Sequence, residues 1–319
     1  MKRTIALVVS VVMMLAVLSA CASKQNGKTD FTVKTVTMTY VKSPLNVPSI
    51  VEKQQKSFET AFSKLGLGFA YSDLTSGADQ TAALASGDIQ ILNAVGGTSV
   101  ILTAANGADI KIIGMYSTSP KAFRLFSKDA SVASPKDLKG KTIAGPKGTN
   151  LHELLTSYLA TGGMTLDDVK FVSMDIPSAF AALENGSADC ALLAGAVAYN
   201  CAAAGYHLVT DGDGLIAGTI LTATTQKFYD GNKAVVDAFL KVQSDTLEYI
   251  RSNHDAALQM AAGETGLEPA AVEEMFGLYD FRQDITDSDI AALQKTAKFM
   301  FDSGLIEKEA DVSSLVLKK

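Results

Sequence analysis

Ala83-Leu84-Ala85-Ser86-Gly87 returns 99 positions later as Ala182-Leu183-Glu184-Asn185-Gly186, and at the same offset Gln90 meets Asp189. Each copy reads as a short helix stopped by glycine and followed by a β-prone run, residues 89–93 in one case and 189–194 in the other. The surrounding segments extend the likeness. Before the first copy lie a strand over 31–40, the loop Val41-Lys42-Ser43-Pro44-Leu45-Asn46-Val47-Pro48, one helix whose face carries Ile50, Val51, Phe58, Ala61, Phe62 and Leu65, and a strand over 68–73. Before the second lie a strand over 141–145, a turn at Pro146-Lys147-Gly148, a helix over 150–161 and a strand over 169–174. A helix over 98–106 and a strand over 109–116 complete the first series. Strand and helix alternate throughout both, which predicts α/β lobes with mostly parallel sheets covered on both faces.

Two apolar, β-prone segments, Ala122-Phe123-Arg124-Leu125-Phe126 and Gly218-Thr219-Ile220-Leu221-Thr222-Ala223-Thr224, flank the second series and read as strands crossing between lobes. The expected division is therefore a discontinuous lobe 1 over 31–120 and 219–319, with lobe 2 over 121–218 inserted in it. Helices over 234–251, from His254, after Pro269 and over 288–301 form a C-terminal helical tail, the last with a capping box at Thr286 and Asp289.

The 319 residues carry 28 Lys and Arg against 34 Asp and Glu, a net charge of −6, and 47% are hydrophobic. That length and composition suit two lobes with cores of their own, and the acidic balance excludes nucleic acid as a partner. Residues 1–20 read as a signal peptide: Lys2 and Arg3 precede an apolar run too short to span a bilayer, and Leu18-Ser19-Ala20 precede Cys21. The polar stretch 21–30 then reads as a tether. Cys190 and Cys201 are expected as packed free thiols, although spacing alone does not exclude a bridge. His152, His207 and His254 have no metal-ligand spacing, so neither metal nor cofactor is expected.

Gly140-Lys141-Thr142 imitates the end of a phosphate-binding loop but opens a strand, and Gly212-x-Gly214 reads as a turn. No nucleophile elbow or paired catalytic carboxylates appear, so an enzyme is not expected. The candidate binding residues lie in loops at strand ends. Pro146-Lys147-Gly148-Thr149-Asn150 leads into a helix whose free N–H groups suit an anionic group, with Gly148, Thr149, Asn150 and His152 as contacts; Thr149 or Asn150 can equally serve as the N-cap. Asn93, Gly97, Thr98 and Ser99 occupy a loop of the same strand-loop-helix form in the first lobe. Thr75 and Ser76, with Tyr40, Lys42, Ser43 and Asn46, would complete its wall, while Tyr40 and Tyr116 read equally well as edge-of-core packing.

Small residues before Cys21, Asp137-Leu138-Lys139-Gly140-Lys141, Lys147-Gly148-Thr149-Asn150-Leu151-His152 and Ala182-Leu183-Glu184-Asn185-Gly186-Ser187-Ala188-Asp189 occur in an order that resembles the nitrate/sulfonate/taurine class of solute-binding proteins of ABC importers. The resemblance covers about residues 31–310. It implies a type II periplasmic-binding-protein fold, a diacylated Cys21 anchoring the chain outside a bacterial cytoplasm, a monomer that closes on one small-molecule solute, and a membrane ABC permease as partner. It also implies ligand contacts at Thr149 and Asn150. The class contains binders of thiamine-precursor pyrimidines and related enzymes; such an enzyme, or a surface receptor or adhesion module, is the alternative. Where sulfonate-type members often carry an aromatic or acidic residue followed by proline, Leu193-Ala194-Gly195-Ala196-Val197 is small and neutral, which implies a roomier cleft for a sulfonate-like anion or an aromatic or heterocyclic solute.

Overall fold

A computed structural model of the chain describes residues 31–42, 45–74 and 76–318. Strand β1 (Thr35–Thr39) leads to helices α1 (Val47–Gln54) and α2 (Ser57–Lys64), then to β2 (Gly68–Ser72), which pairs with β1 in parallel. The single helix expected here is two. Lys56 adopts φ 53, a left-handed conformation that interrupts the ladder, and α2 restarts with Phe58 stacked on Phe69 and Phe239 at 5.8 and 5.3 Å.

The first lobe continues through α3 (Gly77–Ser86), β3 (Leu92–Gly96), α4 (Gly97–Ala105) and β4 (Lys111–Thr118). The chain then leaves to build β5 (Phe123–Ser127), β6 (Thr142–Gly145), α5 (Asn150–Thr161), β7 (Lys170–Ser173), α6 (Ile176–Asn185), β8 (Cys190–Ala194), α7 (Gly195–Ala203) and β9 (His207–Asp211). It returns as β10 (Thr219–Thr224). The second sheet has the order β7-β6-β8-β5-β9, with β5 antiparallel to both neighbours. In the first, β10 lies antiparallel between β3 and β4, and a parallel bridge from Met38 to Ile91 joins β1 to the segment entering β3. Both lobes thus place their second, first, third, crossing and fourth strands in one order. The two crossings touch where the Ser119 N–H donates to the Gly218 carbonyl at 3.1 Å.

Helices α8 (Gln226–Gly231), α9 (Lys233–Ser252), α10 (His254–Thr265), α11 (Pro269–Phe276) and α12 (Asp287–Asp302), with the edge strand β11 (Asp280–Phe281), follow. Helix α7, strand β9, short α8 and β11 were not among the elements expected from the sequence. The tail is built into the first lobe: Leu293, Ala297 and Met300 of α12 join the core of β3, β4 and α4, whereas Ala257, Leu258 and Val272 of α10 and α11 pack with Ile50 and Val51 of α1. Thr286 and Asp289 form the reciprocal cap expected of them.

The repeat is structural down to its hydrogen bonds. Helices α3 and α6 have ten residues each at the 99-residue offset, and both end on a left-handed glycine, Gly87 (φ 86) and Gly186 (φ 78). Gln90 Oε1 accepts from the Thr37 N–H of β1, and Asp189 Oδ2 accepts from the Thr142 N–H of β6, both at 2.7 Å. Helices α4 and α7 also match in length but stand 98 residues apart. The additional first-lobe residue is Ala94. Asn93 faces Thr222 and Val95 faces Leu221, so Ala94 is a bulge, and it adopts φ 67.

Candidate functional site

The β6–α5 loop is closely determined. Thr149 is the N-cap of α5: its hydroxyl donates to the Pro146 carbonyl at 2.9 Å and accepts from the Leu151 N–H at 3.2 Å. Gly148, at φ 73, donates its N–H to His152 Nδ1 at 3.2 Å. A ring nitrogen that accepts carries no proton, so the neutral imidazole holds its hydrogen on Nε2, which is buried without a partner. Burial and nearby Lys147 push the His152 pKa down to about 4. The ring stacks on Phe171 at 4.9 Å and meets Phe299 of α12 edge-on at 6.0 Å. Asn150, the first residue of α5, is only 6% exposed, and its amide makes no hydrogen bond.

Helix α12 brings this loop to the β3–α4 junction of the first lobe. A β-carbon on Gly97 would stand 2.7 Å from Leu293 Cδ2, so absence of a side chain lets the first turn of α4 sit directly on α12. Three residues along α12, the Thr296 hydroxyl donates to Glu153 Oε1 of α5 at 2.7 Å. Residues three apart on a helix are neighbours, so the first turns of α4 and α5 converge on one patch of α12. Gly96 caps α4 through no side chain, and Thr98 beside it is buried without a hydrogen bond of its own. Ser99 is half-buried, with its hydroxyl against Gly77 of α3. The first-turn N–H groups of α4 and α5 carry the positive ends of the helix dipoles, so this patch gathers donors and few acceptors.

The third helix start, Ala194 and Gly195 at φ 63, likewise lacks a side-chain cap. Gly195 lines, with Arg124, Tyr199, Met275 and Tyr279, a cavity of about 10 Å³ between α7 and α11, which is water-sized.

Other residues singled out from the sequence are engaged elsewhere. Tyr40 donates its hydroxyl to Glu264 Oε1 at 2.9 Å beneath Lys53, and Lys42 donates to the Glu264 carbonyl at 3.4 Å. The Asn46 amide donates to the Val41 carbonyl at 2.7 Å, and the Ser76 hydroxyl caps α3 by accepting from the Asp79 N–H. Asn93 is wholly buried. Its amide donates to Glu52 Oε2 at 3.0 Å and accepts from Gln243 Nε2 at 2.8 Å, and its N–H donates to Thr39 Oγ1 at 2.7 Å. Tyr116 closes the same interior network through Ser49, whose N–H donates to the phenol at 3.1 Å. Burial pushes the Glu52 carboxyl up to about 8 despite its amide donors. Ser43, Thr75 and Cys21 lie outside the described residues. Cys190 and Cys201 are free and buried, and burial pushes their thiols up to about 11 and about 12.

Sequence reasoning missed Glu153, Thr296 and Phe299, which tie α5 to α12, because nothing local marks a residue that meets a partner 143 positions away. It also missed Ser117 of β4, whose hydroxyl is buried without a partner. The only local hint at Glu153 is its apolar neighbourhood, Leu151, Leu154 and Leu155.

The NMT1/THI5-like family model matches residues 62–257, a span that includes β2, both crossings, the whole second lobe and α9. The chain belongs to this family. Among curated relatives of this NMT1/THI5-like protein, a putative aliphatic sulfonates-binding protein of Bacillus subtilis is 27% identical over 84% of this chain and 82% of its own length. The taurine-binding periplasmic protein of Escherichia coli is 30% identical over 58% of each. In structure, the periplasmic aliphatic sulphonate binding protein of Escherichia coli superposes with a TM-score of 0.80 at 20% identity, over 90% of this chain and 92% of that one. The fold is the type II periplasmic-binding-protein fold, and the relatives match the nitrate/sulfonate/taurine class that the sequence motifs resemble.

Proposed function

We propose that this NMT1/THI5-like protein is the extracytoplasmic solute-binding lipoprotein of an ABC importer. It captures a small organic solute between lobe 1 (31–120 and 219–319) and lobe 2 (121–218), performs no chemistry on it, and delivers it to a membrane permease. The solute is a sulfonate-like anion or an aromatic or heterocyclic compound bearing an oxyanion-like group. One observation carries this reading: Asn150, a buried residue whose side chain makes no hydrogen bond to the protein, opens α5, the helix that meets α12 through Glu153 and Thr296. An acceptor-rich group such as a sulfonate satisfies such donors, and the named ligands of the relatives have that chemistry. His152 supports binding over catalysis, since an imidazole of such low pKa, with Nδ1 occupied, has little basicity to offer at neutral pH.

Calorimetric titration with taurine, short alkanesulfonates and aryl sulfonates tests the reading. Binding should be found within this panel, and Thr149→Ala combined with Asn150→Ala should weaken it at least tenfold, at about 1.5 kcal/mol or more for the lost hydrogen bonds. Full affinity in a variant with a lowered melting point would reduce the loop to a helix cap. For the anchor, fractionation should find the wild type in the membrane and Cys21→Ser in the soluble fraction. A soluble wild type would refute lipidation.

A further inference from the structure

The contact between α5 and α12 contains an ionisable group that solute binding does not require. Glu153 is 6% exposed and belongs to the second lobe, and Thr296, which donates to it at 2.7 Å, belongs to the first. One residue earlier, His152 meets Phe299 one turn further along α12. These are side-chain contacts between lobes whose backbone continuity runs through the crossings at Ser119 and Gly218. Rotation about those crossings would part α5 from α12 and return the carboxyl to water.

We propose that Glu153 and Thr296 form a proton-linked latch: closing the cleft withdraws the Glu153 carboxyl from water, so closure takes up a proton and is favoured in acidic surroundings. The inference rests on the reading that the two lobes close on a solute. A carboxylate loses hydration on burial, and a single hydroxyl donor replaces little of it, whereas a neutral carboxyl is buried at far smaller cost.

Its surroundings offer no compensating cation. From α12, Lys298 is paired with Asp302, Lys295 is exposed, and Asp289 is held by Arg282. From α5 and its loop, His152 is neutral at physiological pH and Lys147 is exposed. Helix α4 carries no titratable side chain. In agreement, burial raises the Glu153 pKa to about 7 against the Thr296 hydrogen bond, which lowers it. An open cleft would restore the ordinary carboxylate value near 4.5. The sign follows: the closed form binds the proton more tightly, so lowering the pH through this interval favours closure, and between pH 8 and pH 5 the closure equilibrium should shift on the order of tenfold to a hundredfold. Solute affinity, if it depends on closure, should strengthen in parallel.

Glu153 is a positioning residue here, and the test reads lobe position without any solute. Spin labels on Lys170→Cys in the second lobe and Lys308→Cys in the first, both exposed positions, report the interlobe distance in the full mature chain. The wild type should shift toward the short distance as the pH falls from 8 to 5. Glu153→Gln, which mimics the neutral carboxyl, should hold the short distance at both pH values. Thr296→Val should favour the long distance while keeping a pH response. A Glu153→Gln profile that follows the wild type, or a wild-type distance indifferent to pH, overturns the latch. Titration of taurine and alkanesulfonates on the same samples separates the two ideas: absence of binding refutes the proposed solute class, whereas the distances still decide the latch.

Discussion

The steps that carry the repeat, residues 77–99 and 176–197, are the same device put to different ends. Both use a ten-residue helix, a left-handed glycine and a polar side chain, Gln90 or Asp189, that accepts from the first strand's N–H at 2.7 Å. They diverge at one residue. The first lobe inserts Ala94, a bulge at φ 67, beside Asn93, which is committed to a buried network with Glu52 and Gln243. The second lobe has no such insertion, and the corresponding stretch Ala191-Leu192-Leu193 is apolar and buried. Polar residues at two strand–helix junctions therefore do different work: Asn93 stabilises the interior, while the side chain of Asn150, after β6, makes no hydrogen bond to the protein.

Glu52 gives the largest expected effect and the strongest test of that contrast. Its folded pKa of about 8 exceeds the unfolded value, so the fold keeps the proton where the unfolded chain has lost it. Stability from this group is thus greatest below pH 4.5 and falls as the pH rises through 8, by about 5 kcal/mol on the order-of-magnitude scale. Urea denaturation across this range should show the slope, and Glu52→Gln should flatten it and gain stability at pH 8. An unchanged slope would mean that the interior network carries no proton.

Asn93→Ala should come next, at about 3 kcal/mol, because it strips partners from both Glu52 and Gln243. Denaturant midpoints measure it, and a loss below about 1 kcal/mol would make Asn93 a binding residue in search of a ligand. Asn150→Ala should do the converse, with stability changed by no more than about 1 kcal/mol and affinity for the best sulfonate of the panel reduced about tenfold by calorimetry. The smallest effect concerns what the lobes share. Gly87→Ala and Gly186→Ala both meet open space, so each should cost only the left-handed backbone strain, about 1 to 2 kcal/mol. Unequal melting shifts for the pair would show that the two copies of the device are not energetically alike.

Much of this fold was legible because its signals are local. Alternating strands and helices, glycine at helix ends, and the Thr286 and Asp289 capping box all report on neighbours within a few residues, and the elements they mark stand where expected, while α7, β9, α8 and β11 went unmarked. The exception in α1 and α2 is instructive: a continuous apolar face predicts one helix, but the break at Lys56 changes the direction of the chain without altering the spacing of Phe58 and Phe62. Site residues were less legible. The Pro146 to His152 loop could be identified as a helix start, since capping is local, but whether a side chain is spent on its surroundings is a property of the whole packing. Tyr40 met Glu264 and Asn93 met Gln243, partners 224 and 150 positions away.

The sequence by itself determined two α/β lobes, the order of most of their elements and the repeat that relates them, because periodicity and helix capping depend on chemistry within one or two turns. The tertiary structure alone decided which polar groups remain unpaired. Tyr116, Asn93 and Glu52 were drawn into one interior network, Thr149 was consumed as a cap, and His152 Nε2 was left buried without a partner. A buried hydrogen bond depends on what lies within about 3 Å in space, and separation along the chain does not encode that distance.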